Sequence, residues 1–346
     1  VRVHIGLFVV VATASCASAP PKHEAAHGAE PPRYSLVFFI HGDGDYTFHD
    51  ADGDAHKADE AILASARTVA ERNPNAEVFL FHETRRRKLL FVVPRKDGHA
   101  YYYRNGELVE ERSYWRDQGA SRFDPEMTIY EELSATRLQP AAKMFFYFGH
   151  EIPEFDGDGY DRSYPKRSFT VPDLTAGLKR MAGNSAKFDV VVLGTCYGGT
   201  PYTVNAIAPY ARYVVASPEN LHRSYFDLRP LEGLDGDWDA SAFATEFARN
   251  AYERLDEEIE TAISVVVYDV DRTISYLNTV EEAYAETLSS LDARSRERTA
   301  HCDCAEDPAY VHAGIDDGVE VLYRAPRFGR SKGKQGHSGW GCWKTN

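Results

Sequence analysis

The sequence predicts an α/β fold, a sandwich in which helices cover both faces of a mostly parallel sheet. Three observations carry this. Short runs of β-branched and aromatic residues recur along the chain, and most are followed by a longer segment with apolar residues at helical spacing. Strands separated by helices pair in parallel, because a parallel neighbour needs a crossover. The chain has 346 residues, 43% hydrophobic and 27% charged, enough for one large domain with its own core.

The first residues read as export rather than fold. "VRVHIGLFVVVATASC" holds one Arg and an apolar run from Ile5 to Ala12, too short to span a bilayer. "TASC" places a small-residue cleavage site before Cys16, with Thr13 where a lipoprotein signal usually has Leu; cleavage after Ala19 is the competing site. The expectation is a lipoprotein-type signal over 1–16 with lipidation at Cys16, then a Pro-rich tether over 17–32. The protein is expected in the cell envelope, touching the membrane only through that anchor. A formal net charge of −14 argues against nucleic acid as a partner.

The main domain is predicted over 33–300. Ser35 to Ile40 reads as a buried strand ending in a Gly-Asp turn, and "ADEAILASARTVAERNPN" as a helix stopped by Asn73 and Pro74. "EVFLFH" is the next strand. Residues 87–112 carry Asp97-Gly98 and Asn105-Gly106, two hairpin signals, and predict an inserted antiparallel meander. The rhythm resumes with a strand "KMFFYF", a helix "VPDLTAGLKRMAG" with Gly183 past its end, and strands "KFDVVVL" and "ARYVVAS". Helix "SAFATEFARNAYERLDEEIE", strand "AISVVVYDV" and helix "ISYLNTVEEAYAETLSSL" follow. Residues 301–346 read as an irregular C-terminal wrap, in which "GHSGWGCW" packs Trp340 and Trp343. In an exported chain, Cys342 is expected to pair with Cys302 or Cys304. A zinc site from His301, Cys302, Cys304 and Cys342 is disfavoured by the tight CxC spacing.

Open parallel sheets present functional groups at the carboxyl ends of strands. "KMFFYFGH" runs to His150 and "FDVVVLGTC" runs to Cys196, separated by one loop, one helix and one strand. One right-handed crossover would set those ends side by side. A thiol with an ordinary pKa near about 8.5 needs such an imidazole as proton acceptor and donor. Gly194, Gly198 and Gly199 would let a substrate approach the backbone and leave the Cys196 N–H to face an oxyanion.

In these residues the chain resembles the caspase-hemoglobinase superfamily of cysteine peptidases. "FDVVVLGTCYGGTPYTVNAIAPYARYVVASPENL" is similar to the clostripain-like family, with Ala216-Ser217-Pro218-Glu219 matching its "AS-x-E" turn. The likeness runs loosely over residues 34 to 290. It implies a caspase-like α/β/α sandwich, a peptide or protein substrate, Cys196 as nucleophile and His150 as general acid/base. It also implies oxyanion donors from the backbone around Gly149, Glu151 and Gly194, and a substrate pocket at Glu219, Ser217 and Tyr197. Two positions depart from the family. Glu151 stands where glycine is usual, and its side chain would crowd the oxyanion site or raise the histidine pKa. Gly194 stands where an acidic residue lines the pocket for Arg or Lys, leaving Glu219 or an aspartate of Asp156, Asp158 and Asp161 to supply that charge.

Two other functions fit the same letters. Gly194-Thr195-Cys196-Tyr197-Gly198 matches the nucleophile elbow of α/β-hydrolase esterases, with His222, His301, His312 or His337 as base. A catalytically inactive envelope binding protein would keep the fold alone. No cofactor is required by the dyad. "EFDGDGYDRS" offers Asp156, Asp158 and Asp161 as an open Ca2+ loop, whereas "HDADGDAHKADE" fails the EF-hand pattern at Ala55 and Ala61. "ETRRRK" reads as a solvated strand end, and Lys166-Arg167 as a loop pair where self-cleavage is conceivable.

Overall fold

"YSLVFFIH" is buried at all eight positions and forms the first strand, β1 (Tyr34–His41). A strand covered on both faces needs apolar residues in succession rather than alternation, and this one has them. The computed structural model describes residues 32–44, 46–49, 55–89, 93–119, 121–134, 140–183, 187–221, 227–234, 238–290 and 299–345. The expected signal segment, Cys16 and the tether up to residue 31 lie outside the described residues, as do His222 and residues 50–54 of the failed EF-hand pattern. The chain from residue 31 onward is one compact unit.

After β1 come β2 (Thr47–His49), β3 (Ala55–Lys57), α1 (Ala58–Arg72), β4 (Ala76–Glu83), β5 (Lys88–Leu89), β6 (Val93–Pro94), β7 (Gly98–Arg104) and β8 (Glu107–Tyr114). Next are α2 (Asp124–Ser134), β9 (Ala142–Phe148), α3 (Val171–Ala182), β10 (Phe188–Gly194), α4 (Pro201–Ile207) and β11 (Ala211–Ala216). The rest comprises α5 (Ala240–Glu258), β12 (Ile263–Asp269), α6 (Val270–Ser290), β13 (Thr299–Asp303), β14 (Val319–Arg324) and β15 (Gly341–Thr345).

Nine strands form one sheet in the order β14-β12-β11-β10-β9-β1-β4-β7-β8. The five at its centre, β11 to β4, are parallel. Antiparallel strands extend it at both edges. Alternate side chains of the central strands feed two cores. Val37, Phe39, Phe145 and Leu193 pack under α2, α3, α4 and α6, while Leu36, Phe38, Phe146 and Val192 pack under α1 and α5. The chain moves one way from β1 to β4 and the other way from β9 to β11, so their crossover helices fall on opposite faces. The order reverses between β1 and β9, the crevice where open α/β sheets take ligands.

Local signals explain the boundaries. Asn73 ends α1 and then serves three backbone groups: its amide donates to Val69 O and Leu231 O and accepts from Leu234 N. Thr170 and Asp173 form a capping box on α3, which stops at Gly183 with φ 69°. Asn105 and Gly106, at φ 56° and 84°, make the tight turn between β7 and β8. Asp97-Gly98 is not such a turn. Asp97 is buried, its carboxylate accepts from Arg116 N and the Tyr164 hydroxyl, and Gly98 already belongs to β7. Several elements escape the sequence reading, among them the β2–β3 and β13–β15 ladders, α2 and β14. α2 begins at Asp124-Pro125 and buries Met127, Ile129 and Tyr130. β14, inside the supposed irregular wrap, pairs with β12 and closes one sheet edge.

Candidate active site

β9 and β10 are adjacent and parallel, with Phe148 and Gly194 as register partners. His150 lies two residues past Phe148 and Cys196 two residues past Gly194, so both leave the same rim at matching heights. Neighbouring strands are about 4.8 Å apart. Both side chains are half-buried.

Each is held by different neighbours. The Cys196 thiol donates to Asn220 Oδ1 at 2.9 Å and to Leu221 O at 3.2 Å, both in the loop after β11. The chain turns immediately afterwards: Tyr197 takes φ 52°, and its N–H donates to Glu219 O at 3.1 Å. His150 Nε2 meets Gly44 O at 3.3 Å and its ring stands edge-on to Tyr46. Gly44 is required there, because a Cβ would sit 2.0 Å from the imidazole. Burial lowers the pKa of His150 below its ordinary 6.5, opposed in part by the Gly44 carbonyl and helped by smaller pushes from His41 and Arg162. The imidazole is therefore mainly neutral at pH 7 and able to accept a proton.

The groups expected around the oxyanion behave differently from one another. Gly149 N–H points at Gly194 O at 3.5 Å, so it bridges the strand ends. The Glu151 carboxylate turns to His301 Nε2 at 3.2 Å and does not raise the His150 pKa as its position suggested. His301 lies between the ring of Tyr197, stacked on it at 3.8 Å, and that of Trp343, tilted against it at 4.0 Å. Below this stack Glu154 is buried and accepts hydrogen bonds from Trp343 Nε1 and Tyr284 Oη, both at 2.8 Å. The C-terminal ladder β13–β15 is thus pinned beside the turn that follows Cys196.

A cavity of about 180 Å3 adjoins Cys196, lined by Tyr197, Glu219, Asn220, Cys302, Asp303 and His337 among others. Tyr197 and Glu219 were expected in a substrate pocket. Ser217 was too, but it is fully buried and instead shapes the turn: its hydroxyl donates to Glu219 O at 3.0 Å and accepts from Glu219 N. Burial lifts the Glu219 pKa to about 7, against the nearby Lys334 and helped by Asp303 and Glu306. Lys334 itself is committed to Asp303 at 2.9 Å and Glu306 at 2.8 Å.

The aspartates proposed for Ca2+ do not converge. Asp156 and Asp158 are exposed, whereas Asp161 is fully buried and accepts from His41 Nε2 at 2.8 Å and from Arg116 and Arg122. Among the described residues, the three-residue set whose ligand atoms do converge is His41, Glu83 and Asp161. Two guanidinium groups already neutralise it: Arg122 grips both oxygens of Glu83 at 2.7 and 2.6 Å, and Arg116 reaches Glu83, Asp43 and Asp161. This is a closed ionic network rather than a cation site. His41 ends β1 in plain view in the sequence, yet only the fold shows that it points into this network.

The disulfide joins Cys304 to Cys342, leaving Cys302 as a thiol across the ladder from Cys342. Of the histidines that an esterase would need, His301 serves Glu151, His312 meets Ala309 O and His337 accepts from Gly339 N. No described helix is long and apolar enough to cross a membrane.

No protein-family model matches the chain, and no curated protein matches it. Solved structures do. An inactive zymogen C11 protease from Parabacteroides distasonis is similar, with 15% identity over 91% of this chain and 92% of that chain and a TM-score of 0.59. A secreted C11 cysteine protease from Bacteroides thetaiotaomicron is also similar, with 11% identity over 80% and 73% and a TM-score of 0.51. At these identities the likeness is one of fold. The chain has the caspase-like α/β architecture of C11 protease structures, the clostripain-like fold its sequence resembles.

Proposed function

We propose that this protein is a cysteine endopeptidase in which Cys196 and His150 form the catalytic dyad. The observation that carries the reading is the register of β9 on β10, which brings an imidazole and a thiol to one half-buried stretch of rim. In the resting site the thiol donates to Asn220 Oδ1 and Leu221 O. On attack, Sγ bonds to the peptide carbonyl carbon and its proton passes to the neutral His150. Collapse of the tetrahedral adduct breaks the C–N bond, and His150 returns the proton to the departing amine. Water activated by the same imidazole then hydrolyses the thioester. The Cys196 N–H is the proposed oxyanion donor.

The pocket beside Cys196 supports preference for a basic residue before the scissile bond. It is bounded by Glu219, which supplies a carboxylate. The leader sequence supports export to the envelope with lipid at Cys16. Cleavage of a peptide library by the wild type, beside Cys196→Ala and His150→Ala, tests the dyad. Loss of cleavage in both variants is expected. Persistence in His150→Ala would point to an esterase-type base, and absence of cleavage in the wild type to a binding protein.

A further inference from the structure

A larger cavity, unused by the mechanism above, lies on the other flank of His150. It measures about 560 Å3, and Arg85, Arg87, Arg95 and Lys96 line it. The carboxylates on its wall are each occupied, Asp59 by His82 and Glu60 by Lys57, at 2.8 and 2.7 Å. The cavity is therefore strongly cationic in a chain of net charge −14. The run "ETRRRK", which the sequence alone presents as a solvated strand end, forms part of this wall.

The backbone builds this charge against its own repulsion. Arg95 N donates to Arg87 O at 3.0 Å, one step from the Lys88–Pro94 pair of the β5–β6 ladder, so two arginines are cross-strand neighbours. Like charges in that position destabilise a hairpin. An anion between them would remove the penalty.

The cavity also lies on the same rim as the dyad, since its wall residues Gly42 and Thr84 directly follow β1 and β4. A narrow crevice lined by Gly149, Phe148 and Tyr46 runs across the β9–β1 reversal and shares Gly42 and Asp59 with the cationic cavity. From β10 through β9 and β1 to β4 there are three strand spacings, about 14 Å in all. An extended peptide covers that distance in about four residues at roughly 3.4 Å each. His150 protonates the leaving amine, so the departing half of a substrate runs in this direction.

Resting on the peptidase reading, we propose that this cavity binds acidic side chains in the third to fifth residues after the scissile bond. Paired substrates with one common amino-terminal half, carrying Glu-Glu-Glu or Gln-Gln-Gln at those positions, test it. Wild-type kcat/KM is expected to favour the acidic peptide about tenfold at low salt, falling toward parity at about 500 mM NaCl. In Arg87→Gln/Arg95→Gln the ratio drops to near one at low salt. The salt arm needs no variant, so a misfolded double mutant does not blunt the test. Cleavage with equal rates for both peptides overturns the proposal and leaves the peptidase reading intact.

A binding arm separates the two readings. A fluorescein-labelled hexaglutamate peptide is expected to bind the Cys196→Ala protein more tightly than a hexaglutamine control, and to weaken when Arg87→Gln and Arg95→Gln are added. Equal binding of the two peptides overturns the proposal. Selective binding with no peptide cleaved by the wild type overturns it too, together with the peptidase reading.

Discussion

The same rim carries two kinds of polar chemistry. At the ends of β1 and β4, His41, Glu83 and Asp161 are buried and paired with Arg116 and Arg122. At the ends of β9, β10 and β11, His150, Cys196 and Glu219 are partly exposed and lightly held. The electrostatic consequences run in opposite directions. In the first region the Arg116 and Arg122 charges outweigh burial and push the Glu83 pKa down to about 2. In the second, burial with little compensation lifts Glu219 to about 7 and lowers His150. One half of the rim keeps its charges fixed at physiological pH, and the other keeps its groups near neutrality, where protons can move.

The sharpest break between the halves is catalytic. Cys196→Ala is expected to reduce peptide hydrolysis by about 10^4-fold or more, because nucleophile and base act as a unit. The melting temperature should stay within a few degrees, since the thiol's two hydrogen bonds join loops and not the core. Turnover assays beside thermal denaturation check both parts.

Arg122→Met is expected to do the reverse. Its removal strips Glu83 of a bidentate partner and leaves Asp161 to Arg116 and His41, inside a region closed to water. The expected loss is about 3–5 kcal/mol in urea unfolding, with hydrolysis per folded molecule retained. The sign of the pH dependence follows from the depressed pKa. The Glu83 contribution is fully present above about 4.5 and is lost as pH falls through about 2. The variant should therefore reach its acid-unfolding midpoint at higher pH than the wild type.

Much of the fold was legible because it rests on local pattern. The apolar runs that became β1, β9 and β10 cannot be placed at a surface, and Asn105-Gly106 suits one kind of turn. The placement of His150 and Cys196 at neighbouring strand ends was legible because both residues follow such runs. What was not legible depends on pairs distant in sequence. Arg116 meets Asp43 across 73 residues and Asp161 across 45, and nothing local marks any of them as buried. Asp161 sits among turn-forming Asp and Gly residues, so it read as solvated or as a metal ligand, although His41 and two arginines take it inward. Asn220 has no motif at all, and only the loop after β11 brings it to the thiol. The strand β14 was missed because its residues are only partly covered at a sheet edge, which weakens the alternation that identifies strands.

A smaller effect sharpens the contrast within the site. Glu219→Gln is expected to lower kcat/KM for Arg- or Lys-containing substrates about 10- to 100-fold while sparing neutral ones. With a pKa of about 7, the carboxylate is half protonated at neutral pH and becomes fully anionic above it. Wild-type selectivity for basic over neutral residues should thus rise as pH climbs through 7, and the Gln variant should show a flat ratio. A pH series with matched substrates reads both.

The last prediction concerns an exception inside the fixed half. Glu126 on α2 is fully buried, with Tyr114 beside it, and its pKa is pushed up to about 8 by burial and by the neighbouring Glu83 charge, against the pull of Arg122. It is thus mainly protonated at pH 7, a neutral acid beneath a charged network. An acid that keeps its proton in the folded state favours folding at low pH. The unfolded chain gives up that proton near 4.5 and the folded chain near 8, so this stabilisation is lost as pH rises between them, by at most about 1.4 kcal/mol per unit. Glu126→Gln replaces the protonated form with an amide of similar shape. The variant should match the wild type near pH 5 and become the more stable of the two by up to about 3–4 kcal/mol at pH 8. Parallel urea-unfolding curves at both pH values measure the difference. Equal slopes with pH would mean that Glu126 ionises with its neighbours and adds a further buried negative charge to the fixed half of the rim.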